Sequence, residues 1–153
     1  MLIKYEKLNA TLIEQYFDEL CQFYYANATM CSCVSGVTLE QAQLKISGMC
    51  DFVSDEKAIC YGAFDKNQIV GYFWSYLHQF RDETRLYLSE IHIMKEYRSK
   101  RIGHKFMELL EGEARQLGVP AIYLHAEGTN NRGINFYLNE GYSIERLQFR
   151  KEL

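Results

Sequence analysis

The 153 residues contain a single proline, Pro120. No Pro-, Gly- or Ser-rich stretch announces a linker, and no internal repeat or low-complexity tract is visible, so a single domain over 1–153 is expected. Apolar runs are also short. None approaches the roughly 20 residues that a membrane-spanning helix needs, so no membrane partner is expected. The opening Met1-Leu-Ile-Lys-Tyr-Glu-Lys7 lacks a secretory pattern, which predicts a cytoplasmic protein. The five cysteines are Cys21, Cys31, Cys33, Cys50 and Cys60, an odd number that favours reduced thiols over a disulfide framework. Cys31-Ser32-Cys33 has no second close pair to complete a zinc site, so no metal is expected. A surplus of positive charge is missing too: the net charge is −3, which speaks against a general nucleic-acid binder.

Against that acidic background one basic segment stands out. Lys95, Arg98, Lys100, Arg101 and Lys105 face a single acid, Glu96. The segment follows an apolar strand carrying Leu86, Leu88, Ile91 and Ile93. Its alternation slips by one position at Ser89-Glu90, which predicts a β-bulge. An amphipathic helix follows, with Ile102, Phe106, Leu109, Leu110, Ala114 and Leu117 on one face. A helix N-terminus offers unpaired N–H groups and a partial positive charge, and basic neighbours make it suited to phosphate. Gly103, in the first turn, would let a bulky anion approach the backbone.

The remaining elements read from periodicity and punctuation. Leu2–Tyr5 is a short strand. A helix capped by Asn9 or Thr11 runs through Leu12, Ile13, Tyr16, Phe17, Leu20 and Phe23-Tyr24, and 27–37 is irregular. Thr38 and Gln41 form a capping-box signature for a second helix, which Gly48 weakens towards its end. Ala58–Phe64 and Ile69–Gln79 are strands around the polar turn Asp65-Lys66-Asn67-Gln68, and Phe80-Arg81-Asp82-Glu83 turns into the bulged strand. Gly118 and Pro120 stop the basic-ended helix. Ala121–Ala126 is a strand reached by a parallel crossover, and Asn131–Asn139 is a short helix closed by Gly141. Tyr142–Leu147 is a final strand, with 148–153 open to a second. The order predicts an α/β fold with a mixed sheet.

Arg98-Ser99-Lys100-Arg101-Ile102-Gly103 resembles the R/Q-x-x-G-x-G/A loop of the GNAT superfamily of N-acetyltransferases. Arg101 stands where that loop has its first glycine, and Ser99 where glycine is frequent. Asn130–Tyr142 is similar to the family's N-x-x-A-x-x-F-Y-x-x-x-G-F segment, with Gly133 in the alanine position. The resemblance covers the chain from about Ala58 onward. It implies a mixed, mostly antiparallel sheet with a splayed parallel strand pair and flanking helices. The C-terminal strand region is then short, since few residues follow Gly141.

The resemblance also implies transfer of an acetyl group from acetyl-CoA (coenzyme A) directly to a primary amine, on a polyamine, an antibiotic or a protein. Backbone groups at Ile91 and Ile93 would serve the acyl arm, and an N–H near Ile93 would polarise the thioester carbonyl. The backbone of Arg98, Ser99, Lys100, Arg101, Ile102, Gly103 and His104 would hold the pyrophosphate. Arg101 either adds a phosphate bond or crowds the loop. Tyr137 would protonate the leaving thiolate while packing beside Ile134 and Leu138. Asn130 either bonds the pantetheine arm or caps its helix.

An alkylamine with a pKa near 10.4 needs a base, and Glu90, on the central strand at the bulge among apolar residues, is the candidate; it reads equally as a solvated or hydrogen-bonded strand carboxylate. His92 would share its face, as relay or as structure. Tyr24, Tyr25, Trp74 and Tyr76 are acceptor-site candidates, aromatic surfaces suited to a cationic amine. The alternative is an acyl-CoA binding or sensing module without turnover. Homodimers are frequent in the family, which leaves a homodimer open.

Overall fold

The computed structural model describes residues 1–30 and 36–153; Cys31 and Cys33 lie outside them. The elements are β1 (Ile3–Lys7), α1 (Ala10–Gln15), α2 (Phe17–Thr29), α3 (Leu39–Ser54), β2 (Ala58–Asp65), β3 (Gln68–Phe80), β4 (Glu83–Ile93), α4 (Ile102–Leu117), β5 (Ile122–Tyr123) and α5 (Asn131–Asn139). The strands lie in the order β1-β2-β3-β4-β5. The first four pair antiparallel, and β5 joins β4 in parallel at Leu86↔Ile122 and Tyr87↔Tyr123.

The alternation of β3 sorts the core onto two sides of the sheet. Tyr72 and Trp74 point to one side, where Ile13, Leu20, Ile46 and Met49 of α1, α2 and α3 cover them. Phe73 points to the other, against Phe106 and Leu110 of α4, with Leu86 and Leu88 beside it. The rings of Phe73 and Phe106 meet edge to face at 5.3 Å. Each such fully buried side chain contributes about 1.5–3 kcal/mol of transfer free energy.

Local signals mostly resolve as expected. The side chain of Asn9 accepts from the Leu12 N–H and starts α1, but the expected single helix breaks at Tyr16 (φ −105°, ψ 24°) into α1 and α2. Thr38 and Gln41 close a full capping box, and α3 runs through Gly48 to Ser54 because Ala42, Ile46 and Met49 bury its face. Helix α2 extends to Thr29, into the stretch expected to be irregular.

Two expectations fail at the C-terminal side. The strand over 121–126 pairs over two residues only, Ile122 and Tyr123. The final strand over 142–147, and any continuation to 153, does not form. A strand needs a neighbour's N–H and C=O groups, and no strand among the described residues lies along this segment. Side chains hold it instead: Arg85 forks onto Glu145 at 2.8 and 2.9 Å, Arg146 lies over the Phe80 ring at 5.4 Å, and Tyr142 packs on Tyr137. Leu147 and Phe149 beyond it are exposed.

Candidate active site

Strand β4 carries the bulge where the sequence slips. Trp74 pairs with Glu90 and Ser75 with Leu88, so Ser89 is the extra residue. The bulge turns Glu90 to the α2/α3 side, beside His92. Beyond Tyr87↔Tyr123 the two parallel strands have no further pairs. Past that point the edge of β4 is engaged by side chains instead of a strand. The Ile91 carbonyl accepts from Asn27 Nδ2 at 2.9 Å, and the Ile93 carbonyl accepts from Arg98 Nε at 2.9 Å. The carbonyls of Ile91 and Ile93 thus lie along a stretch of the β4 edge that no strand covers.

Glu90, half-buried, is held above the ordinary carboxylate pKa by desolvation. A hydrogen bond from Asn27 and the charge of Lys45 pull the other way. After burial, its charge adds to the upward pKa shifts of Tyr24, Tyr72, Tyr87 and Tyr137. Tyr137 is pushed up to about 12, first by burial and then by Glu90, so its phenol keeps its proton at neutral pH. His92 is buried, stacks on Phe23 at 4.7 Å, and is pushed down to about 4 by desolvation and then by the charge of Arg98.

The basic loop reaches α4 through two residues in the left-handed region, Ser99 (φ 62°) and Arg101 (φ 63°). These are the positions where the family's loop has glycine, and the backbone explains that preference: a left-handed conformation costs an L-residue roughly 1–2 kcal/mol. Arg101 is the N-cap of α4 and no side chain caps it, and the first turn holds no acid. The first N–H groups of α4 are left for an external acceptor. Lys100 sits over the Tyr97 ring at 5.0 Å, and Arg132 donates to Ser99 Oγ at 3.2 Å. His104 pairs through Nδ1 with Glu140 at 2.9 Å, so its side chain is committed to tying α4 to the end of α5. Ile102 is buried in the core.

Gly103 has a packing reason. A Cβ there would stand 3.0 Å from Cζ of Phe136, so the missing side chain lets α5 dock on α4. Asn130 caps α5, its Oδ1 accepting from the Gly133 N–H at 3.0 Å.

The acceptor-side aromatics are only partly brought together. Trp74, expected at the acceptor site, is instead buried in the core at 3% exposure because α1, α2 and α3 cover that side of β3; its ring lies 5.6 Å from Tyr76, and both meet Phe52 of α3. Lys45 lies 5.1 Å from the Trp74 ring centre. Tyr24, of α2, senses the charge of Glu90. Tyr25 faces a different, shallow groove with Gln22, Val37 and Leu39. Periodicity gave no hint of Tyr87, Tyr123, His78 and His125, which continue the aromatic surface. Tyr87 packs on Tyr123 at 4.8 Å and its hydroxyl lies 3.2 Å from His125 Nδ1. Asn27 was also missed, because its partners are more than sixty residues away.

Among the described residues no group of three or more His, Cys, Asp or Glu could hold a metal ion. None of their helices is long and apolar enough to cross a membrane. Cys21 and Cys60 are buried, and burial pushes both thiols up.

Comparison with known proteins bears on the family and the fold. The family model described as "Acetyltransferase (GNAT) family" matches residues 12–142. The uncharacterized N-acetyltransferase YdgE of Bacillus subtilis (strain 168) is 22% identical over 89 residues, 58% of this chain and 57% of that one. The alignment thus spans little more than half the length of that relative. A point mutant of the BH1408 protein from Bacillus halodurans superposes with a TM-score of 0.81 at 18% identity, covering 100% of this chain and 99% of that one. The aminoglycoside N-acetyltransferase AAC(6')-Iy, in complex with CoA, superposes with a TM-score of 0.76 at 10% identity, covering 99% of this chain and 95% of that one. At these identities the two structures speak for the fold.

Proposed function

The chain belongs to the acetyltransferase (GNAT) family, and from that premise we propose that it moves an acetyl group from acetyl-CoA directly to a primary amine on a small molecule or peptide. The observation that carries this reading is that the β4/β5 pairing ends at Tyr87↔Tyr123 while β4 runs on to an uncapped helix N-terminus reached through two left-handed residues. Glu90, whose pKa burial raises, stands on β4 past that point, and Tyr137, a phenol that burial and then the charge of Glu90 keep protonated, stands on α5.

Acetyl-CoA would supply the activated acyl group as a thioester. The residues present fit it. Two left-handed residues and an uncapped helix N-terminus form an anion cradle with Lys100, Arg101 and the backbone of Ile102, Gly103 and His104. No strand covers that edge of β4 past Tyr87, and an extended arm there would hydrogen-bond to backbone groups beside the carbonyls that Asn27 and Arg98 hold.

Glu90 takes the proton that an amine must lose before it can attack, and a carboxylate of raised pKa is a stronger base for that step. The Tyr137 hydroxyl holds a proton for the departing sulfur. The half-buried Tyr76, Tyr87 and Tyr123 rings, which pack on one another, give the amine side an aromatic floor. Aromatic faces attract cations and stack on rings. An aminoglycoside acetyltransferase shares the fold, which supports aminoglycosides as one class to test.

Thiol release from acetyl-CoA should be measured over polyamines, aminoglycosides, amino acids, arylalkylamines and lysine peptides. Turnover on at least one amine is expected. Acetyl-CoA binding by calorimetry with no turnover on any class would instead make the chain a binding or sensing module.

A further inference from the structure

Asn27 stands at the C-terminal end of α2, and its side chain reaches three groups of β4. Nδ2 donates to the Ile91 carbonyl at 2.9 Å and to Glu90 Oε2 at 3.1 Å, and Oδ1 lies 2.9 Å from His92 Nδ1. The orientation of this carboxamide is decided by chemistry. A backbone carbonyl can only accept, so the atom facing Ile91 O is the NH2 group. The atom facing His92 is then the carbonyl oxygen, which donates nothing. His92 Nδ1 must therefore carry a hydrogen. Burial keeps the ring neutral, so a neutral imidazole with Nδ1–H has a bare Nε2.

The proton inventory of the site follows. His92 spends its one N–H on Asn27 and has none to give to the reaction. Glu90 Oε2 accepts from Asn27, and no other hydrogen bond to its side chain is present among the described residues, so Oε1 is the oxygen with both lone pairs open. We propose that Asn27 is the positioning residue of this site, fixing His92 as the Nδ1–H tautomer and orienting the Glu90 carboxylate so that Oε1 takes the amine proton. This rests on the acetyltransferase reading above. The charged and titratable groups facing Glu90 are Tyr24 of α2, Lys45 of α3, Tyr72 of β3, Tyr87 and His92 of β4 and Tyr137 of α5; the charge of Arg98 reaches His92.

The test combines spectroscopy with kinetics on the full chain. In 15N–1H correlation spectra of the wild type at neutral pH, His92 should show a protonated Nδ1 and an unprotonated Nε2. Asn27→Ala removes a hydrogen bond that favours the charged carboxylate. The carboxyl titration of Glu90, read by 13C shifts, and the acid limb of kcat/KM should then move together to higher pH. The misplaced base should lower kcat roughly tenfold to a hundredfold, with KM for acetyl-CoA within about twofold. Asn27→Asp, close in size, should keep the His92 tautomer yet raise the Glu90 titration, since it sets two carboxylates side by side; it carries the test if the alanine variant does not fold. An Nε2–H tautomer in the wild type overturns the proposal, as does a kcat unchanged in both variants. A wild type silent towards every amine sinks the transferase reading itself, and this role with it.

Discussion

The ring of Phe136 fills the space that a side chain on Gly103 would occupy, its Cζ lying 3.0 Å from where a Cβ would be built. The same contact sets the height of α5 over α4, and α5 carries Tyr137 one residue further on. Gly103→Ala should thus act on stability and on the site together. Overpacking costs about 1–3 kcal/mol, against up to about 1 kcal/mol gained in helix propensity. A lower melting temperature with a raised KM for acetyl-CoA is expected; an unchanged melt would mean that Phe136 yields freely.

Tyr137→Phe removes one hydroxyl and leaves the ring in contact with Phe136 and Tyr142. If the phenol supplies the proton for the leaving sulfur, kcat should fall about a hundredfold or more. Acetyl-CoA affinity by calorimetry should stay nearly constant. Wild-type turnover in this variant would remove Tyr137 from the chemistry.

Glu90→Gln separates catalysis from folding. Turnover should drop, and what remains should rise with pH as free amine accumulates. An unaltered pH profile would dismiss Glu90 as the base. Stability should move the opposite way. The folded-state pKa of Glu90 is raised, so between the unfolded and folded values the native state binds more protons and stability falls as pH rises. The substitution deletes that burden, so the variant should melt above the wild type at neutral pH and converge with it in acid.

His92 gives the reverse slope. Its ring is pushed from 6.5 down to about 4 in the folded chain. As pH falls from about 6.5 to about 4 the unfolded chain gains a proton that the native chain refuses, so stability is lost across that window, up to roughly 3 kcal/mol. His92→Gln should flatten this part of the stability profile in urea melts at several pH values. A slope identical to the wild type would show that other groups set it.

Arg101→Gly tests the loop. Glycine relieves a left-handed residue costing about 1–2 kcal/mol and returns about 0.5–1 kcal/mol in chain entropy, so a net gain of about 0.5–1 kcal/mol in stability is expected. CoA binding should nevertheless weaken, and become less dependent on salt, if the guanidinium meets a phosphate. Tighter binding would show that the side chain crowds the cradle.

Features closed within a few residues were decided by the sequence alone. The Asn9 cap, the Thr38–Gln41 box, the two-residue turns at Lys66-Asn67 and Arg81-Asp82, the Gly118 stop, the apolar stripe of α4 and even the bulge at Ser89 follow from local hydrogen bonding and from the period of the apolar pattern. Glu90 and Tyr137 were legible as candidates, the first by its place at the slip and the second by motif. Whether they act together is not legible in the sequence, because Glu90 stands on β4 and Tyr137 on α5, and only the packing of those elements decides it. Three outcomes belonged to the tertiary structure: the break of the first helix at Tyr16, the shortness of β5 with no strand after it, and the convergence of Asn27, Glu90 and His92. The last two depend on whether a distant segment supplies a partner for a backbone or side-chain polar group. The local pattern of a chain says what a residue can bond to, and only the fold says which group arrives.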